Sequence, residues 1–395
     1  AELLPNEPVL APLTGVAHDL TSACSGALGE LVYRFELAEP SDVVLSAIPL
    51  DTNGAPFLSL RSEACVLNRP SEMDCRVSSL ARLYRRALDK GVYYVAVGST
   101  GPSDVQLRLS VSPPSVAPLD EGCSAPPTLP PNSTVDLELN NHVNTYQSAC
   151  LPGAPDATYA FSIAERSDVL FVERLSSGDT GAISIVSPGC DTRTSRLCVS
   201  ADARALCACS PFTGSVCSDS APLRARAYDV PAGEYAVVVE SANGSPAQIT
   251  AFTRPALPST LVTLSDGCND AISIPEIGGR FSGNTGNANS DFTASCDFGV
   301  GAPLGAPDQL LKMHLSESRR VILDAGGSDY ATIIAVRTGA ECPGREVEKA
   351  CAPGCSTRRS FLDLTLPAGD YYVQIEGYVG ASGRWVLDVF FADPE

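Results

Sequence analysis

Apolar residues recur at every second position over short stretches, the period of a strand with one buried face. These stretches form a pattern that occurs three times. The copies close on Lys90-Gly91-Val92-Tyr93-Tyr94-Val95-Ala96-Val97, Ala232-Gly233-Glu234-Tyr235-Ala236-Val237-Val238-Val239 and Ala368-Gly369-Asp370-Tyr371-Tyr372-Val373-Gln374-Ile375. In each, the tyrosine (Tyr93, Tyr235, Tyr371) shares a strand face with the Val or Ile two and four residues on, while Gly91, Gly233 and Gly369 supply the turn ahead of it. A second alternating run follows a glycine-containing turn, Val105, Leu107, Leu109 and Val111 in the first copy and Trp385, Leu387 and Val389 in the third. Each copy therefore ends in a hairpin, and Trp385, standing where the first copy has Val105, is expected in the core.

The middle blocks correspond as well. Tyr33, Phe35, Leu37 and Val43 match Tyr159, Phe161, Ile163 and Val169, and then Leu311, Met313, Leu315 and Val321, with a polar turn inside each set. Upstream, Thr21-Ser22-Ala23-Cys24, Gln147-Ser148-Ala149-Cys150 and Thr293-Ala294-Ser295-Cys296 align. One stretch conflicts: Leu80, Leu83, Tyr84, Ala87 and Leu88 have helical spacing, whereas the matching Phe361–Leu366 alternates. Copies of one fold share elements, so Tyr84–Leu88 is read as mainly extended, after a short helical turn at Ser79–Arg82.

The signature glycines are 142 and then 136 residues apart, long enough for each copy to be a whole domain. The expected architecture is all-β: three tandem antiparallel jelly-roll-like β-sandwiches, 1–114 with an incomplete leading segment, 119–256 rich in cysteine, and 261–395. Short proline-rich linkers, Ser112–Pro118 and Arg254–Ser259, join them stiffly. Assembly is expected to use sheet edges or the Ala1–Pro12 arm adding to a neighbour's strand.

Composition narrows the function. The 32 Gly and 31 Pro against 2 Met favour strands and turns, and a net charge of −19 repels phosphate, which excludes nucleic acid as a main partner. No apolar run approaches the roughly 18 residues of a membrane-spanning helix. Three histidines (His18, His142, His314) leave little for a histidine-based active site, and no nucleophile elbow, zinc-protease helix or phosphate loop occurs. Asp51-Thr52-Asn53-Gly54, Ser177-Gly178-Asp179 and Gly326-Gly327-Ser328-Asp329 align ahead of strands and read as turns. No catalytic and no metal-binding residues are assigned.

The closing pattern Leu366-Pro367-Ala368-Gly369-Asp370-Tyr371-Tyr372-Val373, the later Gly377 and Gly383, and the apolar strand with two close cysteines before it resemble bacterial pre-peptidase C-terminal domains. The resemblance extends over all three copies, with no peptidase ahead of them. It implies jelly-roll-like sandwiches on secreted proteins, non-catalytic and used for secretion, attachment or substrate contact. Relatives that bind calcium do so through acidic clusters after the second close cysteine; here Cys75-Arg76-Val77, Cys198-Val199-Ser200 and Cys351-Ala352-Pro353 carry no paired acids. No cofactor is expected, calcium being the only one the resemblance leaves open.

Fifteen cysteines in one chain indicate an oxidising compartment. A start at Ala-Glu-Leu-Leu-Pro reads as the remainder after signal-peptide removal, which gives an extracellular, cell-surface or periplasmic location. The close pairs Cys65/Cys75, Cys190/Cys198 and Cys342/Cys351 are expected to close local loops, with Cys123/Cys150 and Cys268/Cys296 as a second set. Fifteen is odd, so Cys24 and Cys355 are the candidates for a free thiol or a bond to another molecule. Cys198, Cys207, Cys209 and Cys217 are read as a local disulfide knot in preference to a zinc site, because the spacing is not that of a ribbon or finger.

These readings converge on a non-catalytic exported structural or interaction protein, a subunit of a fibre, sheath or envelope complex, with protein partners or self-association. The alternative is a monomeric secreted protein that binds polysaccharide or protein. A hydrolase with an unrecognised acid pair stands third.

Overall fold

The alternating runs fold as strands whose inward residues meet across two sheets in each copy, so the chain is all-β and built of sandwiches. This computed structural model describes the chain except for residues 25–27, 64–70, 147, 176–178, 192–194, 203–221, 264, 298–304, 340, 355–358 and 395.

The first sandwich contains β1 (Val9–Ala11), β2 (Gly29–Leu37), β3 (Ser41–Pro49), β4 (Pro56–Arg61), β5 (Glu72–Val77), β6 (Ala81–Leu88), β7 (Gly91–Ser99) and β8 (Val105–Ser112). The second contains β9 (Ser133–Leu137), β10 (Asp156–Ile163), β11 (Ser167–Leu175), β12 (Thr180–Val186), β13 (Leu197–Asp202), β14 (Leu223–Val230), β15 (Gly233–Ser241) and β16 (Ala247–Pro255). In the third, short strands β17 (Thr260–Leu261) and β18 (Ile272–Ile274) precede β19 (Gly279–Asn284), β20 (Gln309–Leu315), β21 (Arg319–Asp324) and β22 (Thr332–Thr338). It closes with β23 (Arg345–Pro353), β24 (Phe361–Leu366), β25 (Gly369–Gly377) and β26 (Arg384–Ala392).

Sheet order repeats. One sheet runs β2-β7-β4-β5, β10-β15-β12-β13 and β18-β20-β25-β22-β23; the facing sheet runs β1-β8-β3-β6, β9-β16-β11-β14 and β17-β19-β26-β21-β24. Each pair of sheets encloses one apolar cluster: Phe35, Leu58 and Val95 meet Leu45, Leu83 and Leu107 in the first. Phe161, Ile183 and Val237 meet Phe171, Ala225 and Ile249 in the second. Met313, Ile334 and Val373 meet Leu323, Leu362 and Leu387 in the third. Trp385 joins that third core, its indole N–H donating to Gln309 Oε1 at 2.7 Å.

The Gly–Tyr signature has a mechanical cause. Gly91, Gly233 and Gly369 open their strands at φ +158°, +154° and +157°, where L side chains are strained. The tyrosine two residues on is buried, and its hydroxyl donates to the carbonyl four residues back: Tyr93 to Asp89 at 2.9 Å, Tyr235 to Pro231 at 2.8 Å, Tyr371 to Pro367 at 2.9 Å. Residues 81–88 are a strand, as the repeat required. Its helical spacing comes from a bulge at Ala87 (φ +47°), whose N–H is held by Asp42 Oδ1 at 2.8 Å. Asp229 (φ +54°) and Asp168 repeat the device in the second sandwich.

Two expectations are corrected. The leading arm is folded onto its own sandwich: Leu3 is in the core, Glu2 bridges Arg34 of β2 in parallel, and Val9–Ala11 pairs with β8. Thr128 beside Ala160 and β18 beside β20 do the same in the other copies. Burying Leu3, Leu129 and Ile274 and covering a sheet edge outweigh leaving the arm loose. For the same reason the sheets are not wholly antiparallel, since β17–β19 and β18–β20 pair in parallel. The segment read as incomplete in the first copy follows the path of the others from Leu3 onward.

Candidate interaction faces and sandwich junctions

Outward positions on a sandwich are ordinarily polar and wet. On β11 and β16 they are not: Leu170, Val172 and Phe252 are buried against Ile322, Phe390, Ala392 and Phe361 of the third sandwich. The two sheets involved are counterparts, and β16 packs on β26. Arginines surround this apolar centre. Arg254 Nη2 donates to Asp168 Oδ2 at 2.9 Å and to Asp388 Oδ1 at 2.7 Å, while its Nη1 donates to the carbonyl of Val389 at 2.8 Å. Its guanidinium lies 4.3 Å from the centre of the Phe390 ring. Arg224 Nη1 and Arg226 Nη2 donate to Asp324 Oδ1 at 2.6 and 2.7 Å. Arg174 and Arg320 converge on Asp363, and Tyr228 Oη donates to Asp388 Oδ2 at 2.8 Å. Burial alone would raise the Asp324 carboxyl; Arg224 and Arg226 overcome this and hold it below the ordinary carboxylate range. Gly326 lies directly against the Arg226 guanidinium, and a Cβ there would overlap it.

The junction between the first and second sandwiches is different in kind. Arg86 grips both oxygens of Glu121 and the carbonyl of Asn141, Arg82 reaches the carbonyl of Asn140, and Arg76 that of Gly153. Ser78 Oγ donates to Asn243 Oδ1 at 2.8 Å. Among the described residues no buried apolar cluster spans this junction, which is held by three arginines reaching from β5 and β6.

One end of each sandwich carries a repeated clip. Glu30 accepts from Asp19 N and Leu20 N at 2.7 and 2.6 Å, Asp156 from Thr145 N and Tyr146 N at 2.6 and 3.0 Å, and Asp308 from Asp291 N and Phe292 N at 3.0 Å each. The second donor always lies four residues before the aligned cysteine. Burial pushes the Asp308 carboxyl up to about 7, and Glu240 and Glu376, at matching places on β15 and β25, up to about 8. Glu173, facing inward from β11 against Gly181, is raised well above its ordinary value by burial and then by Glu240 and Asp179. Among the described residues neither of its oxygens has a hydrogen-bond partner.

The disulfides tie these clipped loops down, and here the expected pairings fail. The bonds are Cys24–Cys75, Cys150–Cys198 and Cys296–Cys351, with Cys123–Cys190 and Cys268–Cys342 as a second set. The pairings 190/198, 342/351, 123/150 and 268/296 are therefore replaced, Cys75 does not pair with Cys65, and Cys24 is not free. The physical reason is that β12–β13 and β22–β23 are hairpins already closed by their ladders. Their cysteines turn outward to catch the loop crossing the sheet. Cys65, Cys207, Cys209, Cys217 and Cys355 lie outside the described residues, as do Ser177 and Gly178.

Other expected positions have structural partners. His18 Nδ1 is 2.6 Å from Glu30 Oε2, and His142 Nε2 is 2.9 Å from Asp120 Oδ1. Asp51 caps Asn53 N at 2.8 Å, an aspartate turn. Among the described residues no group of three or more His, Cys, Asp or Glu is placed to hold a metal ion, and no helix is long and apolar enough to cross a membrane. A groove of about 410 Å³ on the third sandwich is lined by Asp266, Asn284, Gln309 and Arg384 together with Leu261 and Val262. Sequence reading missed the arginine–aspartate junction. Its signal was present: Leu170, Val172 and Phe252 are apolar where alternation calls for polar residues.

No family model matches the chain, and no curated protein matches it. Among solved structures, the pre-peptidase C-terminal domain of a collagenase from Bacillus anthracis is 18% identical, covering 28% of this chain and 92% of that domain at a TM-score of 0.20. The tandem CBM22 domains of Xyn10C from Paenibacillus barcinonensis are 7% identical over 56% of this chain and 82% of theirs, at 0.17. The CUB1-EGF-CUB2 domains of rat MASP-1 are 10% identical over 67% and 99%, at 0.15. Likenesses this low carry no inference about activity; the sandwich assignment rests on the sheets and cores described above.

Proposed function

We propose that this is a non-catalytic protein of an oxidising, extracellular or cell-surface environment, acting as a subunit of a larger assembly through the outer faces of its sheets. The observation that carries this reading is the junction of the second and third sandwiches, where counterpart faces meet through an apolar centre ringed by arginine–aspartate pairs. Such a face has the make-up of a protein interface, apolar and aromatic at the centre with arginine around it. The five disulfides among the described residues support the compartment. The pre-peptidase resemblance agrees with an attachment role. The carboxyls with the highest proton affinity, Glu173, Glu240 and Glu376, are buried, away from where a substrate would reach.

Negative-stain microscopy of unpurified native material tests the role: ordered polymers or large particles containing this chain are expected, and dispersed single molecules contradict it. A second reading, a monomeric binding protein, is favoured by the groove around Arg384 and Asp266. Binding of one class of glycan or peptide by monodisperse protein, abolished by Arg384→Ala, would select that reading.

A further inference from the structure

Under their clipped loops the second and third sandwiches carry a pair of acids that the first does not. Asp156 and Glu240 stand directly opposite each other on β10 and β15. Asp308, one step before the Gln309–Ile375 pair, stands opposite Glu376 in the same way. Opposite residues of an antiparallel ladder share a face, with Cβ atoms about 4.5–5.5 Å apart. All four side chains are fully buried. In the first sandwich the same register places Gly98 opposite Glu30, so its clip holds one acid, bonded to His18.

Among the described residues neither pair has an ion-pair partner, and both oxygens of Glu240 and Oδ1 of Asp308 have no hydrogen-bond partner. The guanidiniums that act on the pairs are bonded elsewhere. Arg76 holds the carbonyl of Gly153, and Arg337 holds Gln374 Oε1 at 2.7 Å and the carbonyl of Thr293 at 2.6 Å. The second pair is also faced by Glu173, by Tyr146 and by His142, itself bonded to Asp120. The third is faced by Asp266, Asp291, Asp297 and Tyr330. Two carboxylates in one dry site cannot both ionise without a cation between them.

We propose that each pair is a proton-gated latch: a proton held between the two carboxyls keeps the loop bearing Cys150 or Cys296 docked, and loss of that proton releases the loop. The hold is the pair of backbone N–H groups that Asp156 takes from Thr145 and Tyr146, and Asp308 from Asp291 and Phe292. Ala294 N adds a third bond, to Glu376 at 3.1 Å. Once both acids are charged, the repulsion is relieved only by water, which enters as the loop lifts. Burial above all raises Glu240 and Glu376 to about 8 and Asp308 to about 7, and it raises Asp156 as well. The docked loop therefore binds more protons than the lifted one from the ordinary carboxyl range up to about pH 8. Within that window opening grows about tenfold per pH unit for each proton released.

The inference goes beyond the proposed assembling role and does not rest on it, since single molecules and assemblies alike would show it. Amide hydrogen exchange of the full chain from about pH 5.5 to 7.5, corrected for the intrinsic pH dependence of exchange, is the test. Protection of Thr145, Tyr146, Asp291 and Phe292 is expected to fall about tenfold per pH unit. These amides should also exchange faster than Val237 and Val373 in the cores, because the loops lift without unfolding the sandwiches. Glu240→Gln, a neutral partner of the same shape, should remove the pH dependence at Thr145 and Tyr146 and leave Asp291 and Phe292 as they were. Glu376→Gln should do the reverse, and neither should alter Asp19 and Leu20 in the first sandwich. Protection that does not change with pH, loop amides that exchange no faster than the core, or a pH dependence that survives the substitutions overturns the inference.

Discussion

Single residues decide where this chain can be cut apart. Asp324 is fully buried and answers two arginines from the neighbouring sandwich. Removing one partner of such a group leaves buried charge uncompensated, a loss of about 3–5 kcal/mol. Asp324→Asn is therefore expected to lower the urea midpoint of the second and third sandwiches and leave that of the first unchanged, read by tryptophan emission from Trp385 and by proteolysis of the first sandwich. Gly326→Val should act in the same direction for a steric reason, because its side chain would displace the Arg226 guanidinium. An unchanged midpoint in both variants would show that the arginines contribute nothing at this junction. Gly233→Ala tests a different constraint: at φ +154° an alanine is strained, and a cost of about 1 kcal/mol or more is expected from the shift in midpoint.

At the scale of elements, the clipped and disulfide-tied ends set the response to pH and reduction. Cys150–Cys198 closes 48 residues, and by chain entropy it contributes about 4 kcal/mol. Cys150→Ser with Cys198→Ser should reduce the stability of the second sandwich by about that amount in calorimetry. The carboxyls of Glu240 and Glu376, raised from 4.5 to about 8, bind protons more tightly folded than unfolded. Their contribution is full below pH 4.5 and is lost as pH rises towards 8, whereas Asp324 and Asp363, held low, lose theirs only on strong acidification. The melting temperature is thus expected to fall between pH 5 and pH 8, and Glu240→Gln with Glu376→Gln to flatten that slope. A melting temperature that rises steadily over this range contradicts the assignment. Strand positions, the Gly–Tyr signature and the inward residues of all three cores were legible in the sequence, because alternation reports burial directly. Disulfide pairing was not: proximity along the chain competes with proximity across a sheet, and only the hairpin ladders show that Cys190 and Cys198 have no loop left to close.

On the scale of the whole molecule, the two junctions predict different mechanics. The second and third sandwiches share a buried apolar cluster, while the first is held by Arg76, Arg82, Arg86 and the Ser78–Asn243 hydrogen bond. The one ion pair there among the described residues, Arg86–Glu121, is largely buried, so removing its carboxylate leaves a charge uncompensated. Glu121→Gln should therefore loosen the first sandwich, seen as a larger radius of gyration in X-ray scattering, with the other two still moving as one body.

Hydroxyl-radical footprinting of dilute, monomeric protein tests most directly whether outer sheet faces are its recognition surfaces. Phe252 and Phe390 should be protected although they point away from their own cores, while the outward Leu10, Ile48 and Leu50 react freely. Free reaction of Phe252 and Phe390 in the monomer would contradict the account.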